Sequence, residues 1–301
     1  MPGIDERDAR AVLGPSARFL ASGATCVAFT DGRRVVRLAA LNGREATRLN
    51  VDAAIRTALR SSGVPTPEAL EVGLLPSGRA FTVDTLAGGD GSGPSPAGWA
   101  DLGGALAVLH ALPHRGYGLL EDRADAFQGL ASTPASGLRT RLEEAWPFGE
   151  TDLKAHPLVA AAPDLAGPLA GLEGDLRDVI GGRTALCHTD LHGEQFRWRE
   201  GRLAALPDFG DAAIGPPAWD VASLAYFHGW SVAEEVARAA ALPCGREAAL
   251  FGLLLAFHRA SRAVTLRHPA RTTEAVAFAR GCLARLAGRR FSPHERPANR
   301  A

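Results

Sequence analysis

Between Leu186 and Leu224 the chain reads LCHTDLHGEQFRWREGRLAALPDFGDAAIGPPAWDVASL. His188, Asp190 and His192 stand at alternate positions, Gln195 follows, and Asp208-Phe209-Gly210-Asp211 and Asp220 come after an apolar alternation around Arg202 to Leu206. Carboxylates on loops flanking short strands suit phosphoryl transfer, in which a protein mainly positions a hydroxyl and holds Mg²⁺ against nucleotide phosphates. One carboxylate must accept or orient the acceptor proton. A second carboxylate and a side-chain amide oxygen must supply hard ligands to a cation that keeps several waters. Asp190 fits the first task, and Asp208 and Gln195 fit the second.

The stretch resembles the aminoglycoside phosphotransferase and choline kinase family, small-molecule relatives of the protein kinases. Their signature runs roughly His-Gly-Asp-Leu-His-x-x-Asn, then a DFG-like Asp, then an Asp ahead of an apolar helix. The resemblance implies that Asp190 is the catalytic base and Asp208 the principal Mg²⁺ ligand, with His188 and Asp220 bracing the catalytic loop. Gln195 departs from the family's Asn and sets its amide oxygen one methylene further out. A zinc hydrolase using His188, Asp190 and His192 is an alternative, because imidazole is a common zinc ligand, but it leaves Asp208, Gly210 and Asp220 idle.

The elements that must position these residues can be read upstream. Phe19 to Leu38 reads as strands joined at Asp31-Gly32, a hairpin signal between apolar runs. Ser22-Gly23-Ala24-Thr25-Cys26 sits where a phosphate-covering loop would lie, so Ser22 and Gly23 are candidate phosphate contacts. In the next strand Arg37 occupies the place of the family's nucleotide-binding Lys, and a guanidinium can hold phosphates bidentately. Residues 44 to 60 have helical apolar spacing at Leu49, Ala53, Ile55 and Leu59 and stop at Gly63 before Pro65. Asp52 lies at the position of the family's Glu and is the expected partner of Arg37, with Glu45 as the fallback. A second hairpin, Val72 to Leu75 and Ala80 to Leu86, turns at Pro76-Ser77-Gly78, and Asp84, Thr85 and Leu86 form the expected hinge. The resemblance implies that adenine meets hinge backbone, which leaves ATP and GTP equally open. Arg37, Asp52 and Gln195 together soften the pattern, so a catalytically impaired nucleotide-binding protein is a second alternative.

Residues 87 to 98, AGGDGSGPSPAG, have linker composition. They divide an N-terminal nucleotide-binding lobe, 1–86, from a catalytic and substrate-binding lobe, 87–301. Trp99 to His110 reads as a helix with His110 structural. No motif is visible between Tyr117 and Asp175 beyond helical pieces near Leu138 to Trp146. Helices are expected over Leu169 to Ile180, Ala218 to Phe227, Val232 to Ala240, Arg246 to Val264 and Thr272 to Leu286. The predicted fold class is α+β: a two-lobed protein-kinase-like fold with a small antiparallel sheet and a mainly helical C-terminal lobe.

Composition narrows the partners. Among 301 residues the 33 basic and 33 acidic side chains balance, which gives nucleic-acid binding no global electrostatic support. The longest apolar run, Ala248 to Phe257, is too short to cross a bilayer. The first ten residues are charged and lack the apolar segment of a secretory signal, so a cytoplasmic location is expected. Cys26, Cys187, Cys244 and Cys282 are far apart and form no Cys-x-x-Cys pair. Lys154 is the only lysine and Asn occurs only at 42, 50 and 299, a bias that eases departures from Lys and Asn at motif positions. From Ser231 to Ala301 there are 12 arginines against five glutamates and no aspartate. Since this region lines the acceptor site in the resembled family, a neutral or anionic hydroxyl acceptor is expected.

Overall fold

The computed structural model describes residues 3–23, 25–41 and 47–288. Ala24 and Glu45 fall outside them. Helix α1 (Ile4–Leu13) precedes strands β1 (Arg18–Ser22), β2 (Cys26–Thr30) and β3 (Arg34–Ala39). Helix α2 (Leu49–Ser61) then leads to β4 (Ala69–Leu74) and β5 (Ala80–Thr85), and the five strands form an antiparallel sheet in the order β1-β2-β3-β5-β4. The β2–β3 turn is fixed by its own chemistry. The Asp31 carboxylate accepts the N–H groups of Arg33 and Arg34 at 2.9 and 2.7 Å, while Gly32 takes a positive φ of 95° that a side chain would resist. Ala9 and Leu13 of α1 pack with Phe29, Val36, Leu38, Phe81 and Val83 into a small core under this sheet.

Beyond it come α3 (Pro96–Ala111), β6 (Tyr117–Leu120), β7 (Gly129–Ala131), α4 (Pro134–Arg141), α5 (Pro157–Ala161), α6 (Ala166–Ala170) and α7 (Glu173–Val179). The order continues with β8 (Ala185–Cys187), β9 (Arg197–Arg199), β10 (Arg202–Ala205) and β11 (Ala213–Gly215). Four helices close the chain: α8 (Ala218–His228), α9 (Trp230–Ala239), α10 (Arg246–Thr265) and α11 (Pro269–Leu286). The architecture is thus α+β, an antiparallel sheet followed by a mainly helical region, as the sequence predicts. Among the described residues no helix is long and apolar enough to cross a membrane.

Two arrangements position the site. Strand β11 pairs antiparallel with both β6 and β8, setting Ala213 beside Cys187, so the loops after β8 and before β11 open side by side. Helix α3 is packed tightly on α9, because a Cβ at Gly103 would stand 2.6 Å from both the Ala239 Cβ and the Val236 carbonyl. Leu102, Leu106 and Leu109 of α3 bury themselves with Leu186, Leu191, Phe196 and Phe209, so the α3 face and the catalytic stretch share one core.

Several boundaries differ from expectation. Helix α2 starts at Leu49; Thr47 and Arg48 of the predicted 44–60 helix are not helical, and 42–46 lie outside the described residues. The predicted helix over 169–180 is two pieces, α6 and α7, with Gly171 between them, where glycine's entropic cost favours a break. The helical piece expected at 138–146 is α4 at 134–141, started by Pro134 and by the Thr133 hydroxyl accepting the Ser136 N–H. The linker-like segment is pinned. Asp90 N–H donates to the Trp198 carbonyl at 3.1 Å, Ser95 N–H to that of Gly201 at 2.9 Å, and the Ser95 hydroxyl caps α3 by accepting the Gly98 N–H at 3.1 Å.

Candidate active site

The loop from His188 to Phe196 is held from below by the first turns of α8. The buried Asp220 carboxylate accepts the N–H groups of His188 at 3.0 Å and Thr189 at 2.7 Å, and lies 2.8 Å from Nε2 of buried His110. Ser223 accepts the Leu191 N–H at 2.9 Å. Burial alone would raise the Asp220 carboxyl, but the His110 hydrogen bond, the nearby imidazoles and the Thr189 N–H outweigh it and hold it below the ordinary value. Thr189 sits at φ 69°, a left-handed conformation that costs a side-chain-bearing residue roughly 1–2 kcal/mol. Its N–H bond to Asp220 and its hydroxyl bond to the Asp211 carbonyl at 2.7 Å offset that cost and aim the next residue, Asp190. His188 braces through its backbone. Its buried ring lies 5.1 Å from the Phe209 ring, and neither ring nitrogen has a hydrogen-bond partner.

Asp190 is 18% exposed and surrounded by cations. Its Oδ1 accepts from Arg259 Nη2 at 2.9 Å, while Oδ2 lies 3.9 Å from Arg141 Nη2 and 3.7 Å from His192 Nε2. Burial pushes its carboxyl up, but Arg141, Arg259 and His192 pull it below the ordinary range, so it is ionised at neutral pH. Gln195 belongs to a short 3₁₀ turn, Gly193–Gln195, and its amide lies 3.2 Å from His192 Nε2. The amide nitrogen makes that contact, which leaves the amide oxygen out of it.

Asp208 is half exposed, its Oδ1 accepting the Gly210 N–H at 3.0 Å with Arg37 Nη1 3.8 Å away. Behind it stands a buried four-charge cluster. Arg37 pairs with Asp52 and donates through Nε to Asp84 at 2.9 Å. Fully buried Arg56 donates to Asp52 at 2.9 Å, to Asp84 at 2.8 Å and to the Pro67 carbonyl at 3.0 Å. Asp52 also accepts the Phe209 N–H at 2.8 Å, so α2 reaches the loop that bears Asp208, and Arg48 adds a bond to the Gly210 carbonyl at 3.2 Å. Burial raises the Asp52 carboxyl, but Arg37 and Arg56 overcome it and hold it low.

Two expected hinge residues have partners in the structure. Asp84 lies inside β5, opposite Val35 and Ala69, and its side chain belongs to the arginine cluster. The Leu86 N–H is given to the Arg33 carbonyl at 2.8 Å, one residue past β5. Ser22 ends β1, and Gly23 N–H donates to the Cys26 carbonyl at 2.8 Å. An open cavity of about 450 Å³ against Thr66, Leu86, Gly88, Arg199 and Arg202 is lined by none of Arg37, Asp190 or Asp208.

The zinc alternative lacks its geometry. Among the described residues the one group of three metal-ligand types with atoms within 4.8 Å of one another is His110, Cys187 and Asp220. Cys187 there is a thiol, pushed well above its ordinary value by burial and by Asp220, and it donates toward the carbonyls of Gly215 and Pro216. Residues that the sequence did not single out are Arg56, Arg141 and Arg259. The last two reach Asp190 from α4 and α10, Arg259 from 69 positions away, and nothing local marks them.

The profile of the phosphotransferase enzyme family (APH) matches residues 16–254, and the chain belongs to that family. No curated protein sequence matches it. Its fold is that of the kinase-like aminoglycoside phosphotransferases. A thermostable mutant of aminoglycoside phosphotransferase APH(4)-Ia, in ternary complex with AMP-PNP and hygromycin B, aligns with TM-score 0.68 at 16% identity over 94% of this chain and 99% of that one. The GDP complex of aminoglycoside 2'-phosphotransferase-IIIa aligns with TM-score 0.59 at 18% identity over 89% and 92%, and the gentamicin complex of APH(2")-IIa with 0.61 at 13% over 93% and 96%.

Proposed function

We propose that this chain transfers the γ-phosphate of ATP or GTP to a hydroxyl of a small molecule, in a cleft between lobes that meet at residues 86 and 87. The observation that carries the reading is that one ionised carboxylate, Asp190, is aimed by the Asp220 brace, while a second, Asp208, stands half exposed beside Arg37. Asp190 orients the acceptor hydroxyl and takes its proton. The acceptor oxygen bonds to the γ-phosphorus, the bond from that phosphorus to the β,γ-bridging oxygen breaks, and a phosphoester and ADP or GDP leave. Arg37 faces the nucleotide phosphates, with Asp52, Asp84 and Arg56 fixing its fork, and Ser22 and Gly23 cover them. The donor set fits Mg²⁺, whose charge would offset that of the phosphates. Asp208 would hold it, joined by the amide oxygen of Gln195.

The acceptor is the open part of the reading. The solved relatives hold hygromycin B or gentamicin, which runs against the neutral or anionic acceptor expected from the arginine count. That count is also a poor guide in itself, since Arg246, Arg280 and Arg285 pair with Asp175, Asp164 and Glu234. A second reading, nucleotide binding without transfer, is favoured by the engagement of Asp190 Oδ1 by Arg259. Nucleotide consumption with Mg²⁺ over a panel of aminoglycosides, sugars, amino alcohols and hydroxy acids separates the two: acceptor-stimulated turnover supports transfer, and tight nucleotide binding without turnover supports the second.

A further inference from the structure

Helix α2 precedes β4 and β5 in the chain, yet its Val51, Ile55 and Leu59 bury themselves in the core that holds Leu106, Leu186 and Phe209 rather than in the small core under the five-stranded sheet. Its first turn is fixed from the same side. Arg48, at the N-cap position, has no acceptor to offer the open N–H groups of the helix start. Asp122 supplies one from the loop between β6 and β7, 72 positions away from Asn50. Its Oδ1 accepts the N–H groups of Asn50 at 2.7 Å and Val51 at 3.0 Å, and its Oδ2 accepts from the Asn50 side-chain amide at 3.0 Å. A carboxylate in that place also suits the positive end of the helix dipole.

The sheet topology puts this cap beside the chemistry. Ala213 of β11 lies opposite Leu119 of β6 on one side and Cys187 of β8 on the other, both antiparallel, so the ends of β6 and β8 and the start of β11 share one edge. The Asp190 loop leaves that edge after β8, the Asp208 loop enters it before β11, and Asp122 follows the end of β6. The residue after Val51 is Asp52, which accepts the Phe209 N–H through Oδ1 and holds Arg37 through Oδ2. Displacing the first turn of α2 would carry Asp52 away from both partners. We propose that Asp122 is a positioning residue for nucleotide binding: by capping α2 it fixes Asp52, and through Asp52 the Arg37 guanidinium and the Asp208 loop. This rests on the kinase reading of the site.

Calorimetric titration of the full chain with AMP-PNP and Mg²⁺ tests the proposal, beside thermal unfolding without nucleotide. Asp122→Ala should weaken nucleotide binding about fivefold or more, the loss of a helix cap expressed as a ratio. Asp122→Asn keeps an oxygen for the two backbone N–H groups and should recover most of that loss. Asn50→Ala removes the Oδ2 bond alone and should move affinity in the same direction by less, which keeps a readout should the Asp122→Ala chain fail to fold. In an Asp52→Ala background Asp122→Ala should add less than about twofold, because its route to the nucleotide is already cut. A cap that served the fold alone would lower the unfolding midpoint and leave affinity unmoved. Affinity in Asp122→Ala within about twofold of the wild type, or an equal loss with and without Asp52, overturns the proposal. A wild type that binds no AMP-PNP overturns the kinase reading and the proposal with it, so the two failures are distinguishable.

Discussion

The Asp52 carboxylate on α2 accepts the backbone N–H of Phe209 at 2.8 Å, and through its other oxygen pairs with Arg37 and Arg56. One side chain therefore ties the helix, the nucleotide-facing strand and the Asp208 loop together. Removing one partner of a buried ion pair leaves the other uncompensated and costs roughly 3–5 kcal/mol. Asp52→Ala should lower the unfolding free energy by that order and raise the nucleotide KM. Because Arg37 and Asp52 act through one contact, the double variant Arg37→Ala/Asp52→Ala should cost less in nucleotide KM than the sum of the singles; additive effects would break the pairing argument.

Asp208→Ala should remove the effect of Mg²⁺ on nucleotide binding while leaving the fold intact, since this carboxylate is half exposed and holds only the Gly210 N–H and a 3.8 Å contact with Arg37 among the described residues. Titrating ATP and GTP with and without Mg²⁺ checks it. A full metal effect in the variant would move the metal elsewhere.

Burial and the charges of Arg141, Arg259 and Arg262 push His258 well below its ordinary value of 6.5. The unfolded chain then takes up a proton that the native state refuses, so stability is full above about pH 6.5 and falls as the pH drops through it. Denaturant unfolding across this range should show a smaller acid-side loss for His258→Asn than for the wild type. Equal pH slopes would show that His258 is charged in the fold.

Asp220 should give a loss in the same direction, on acidification, but at lower pH. Its carboxyl is held below its ordinary value, so its contribution is present above the unfolded carboxylate value of 3.8 and is lost as the pH falls through the lower native one. Asp220→Asn should destabilise the protein at neutral pH and flatten the acid limb of the unfolding midpoint. A variant as acid-sensitive as the wild type would remove Asp220 from that role.

The catalytic stretch was legible because its residues are contiguous and their order is itself the signal. Asp52 could be reached by counting from the Val64-Pro65 turn, and the structure places it against Arg37. The ion pairs of Asp84 with Arg37 and Arg56 were not legible, because they join β5 to β3 and α2 across the sequence. Between Tyr117 and Asp175 the elements are mostly three to eight residues long, too short for either periodicity to register. Arg141 and Arg259 were invisible for another reason: they join Asp190 only through tertiary packing, and in a chain with 32 arginines neither is marked by type.

The most direct test of the central claim is acceptor-dependent phosphoryl transfer by the wild type and Asp190→Asn, with nucleotide affinity measured on the same samples. The expected result is a loss of transfer of about 10²-fold or more with nucleotide binding retained, because Asp190 acts on the hydroxyl rather than on the phosphates. Retained transfer in Asp190→Asn, or a parallel loss of nucleotide binding, would contradict the account.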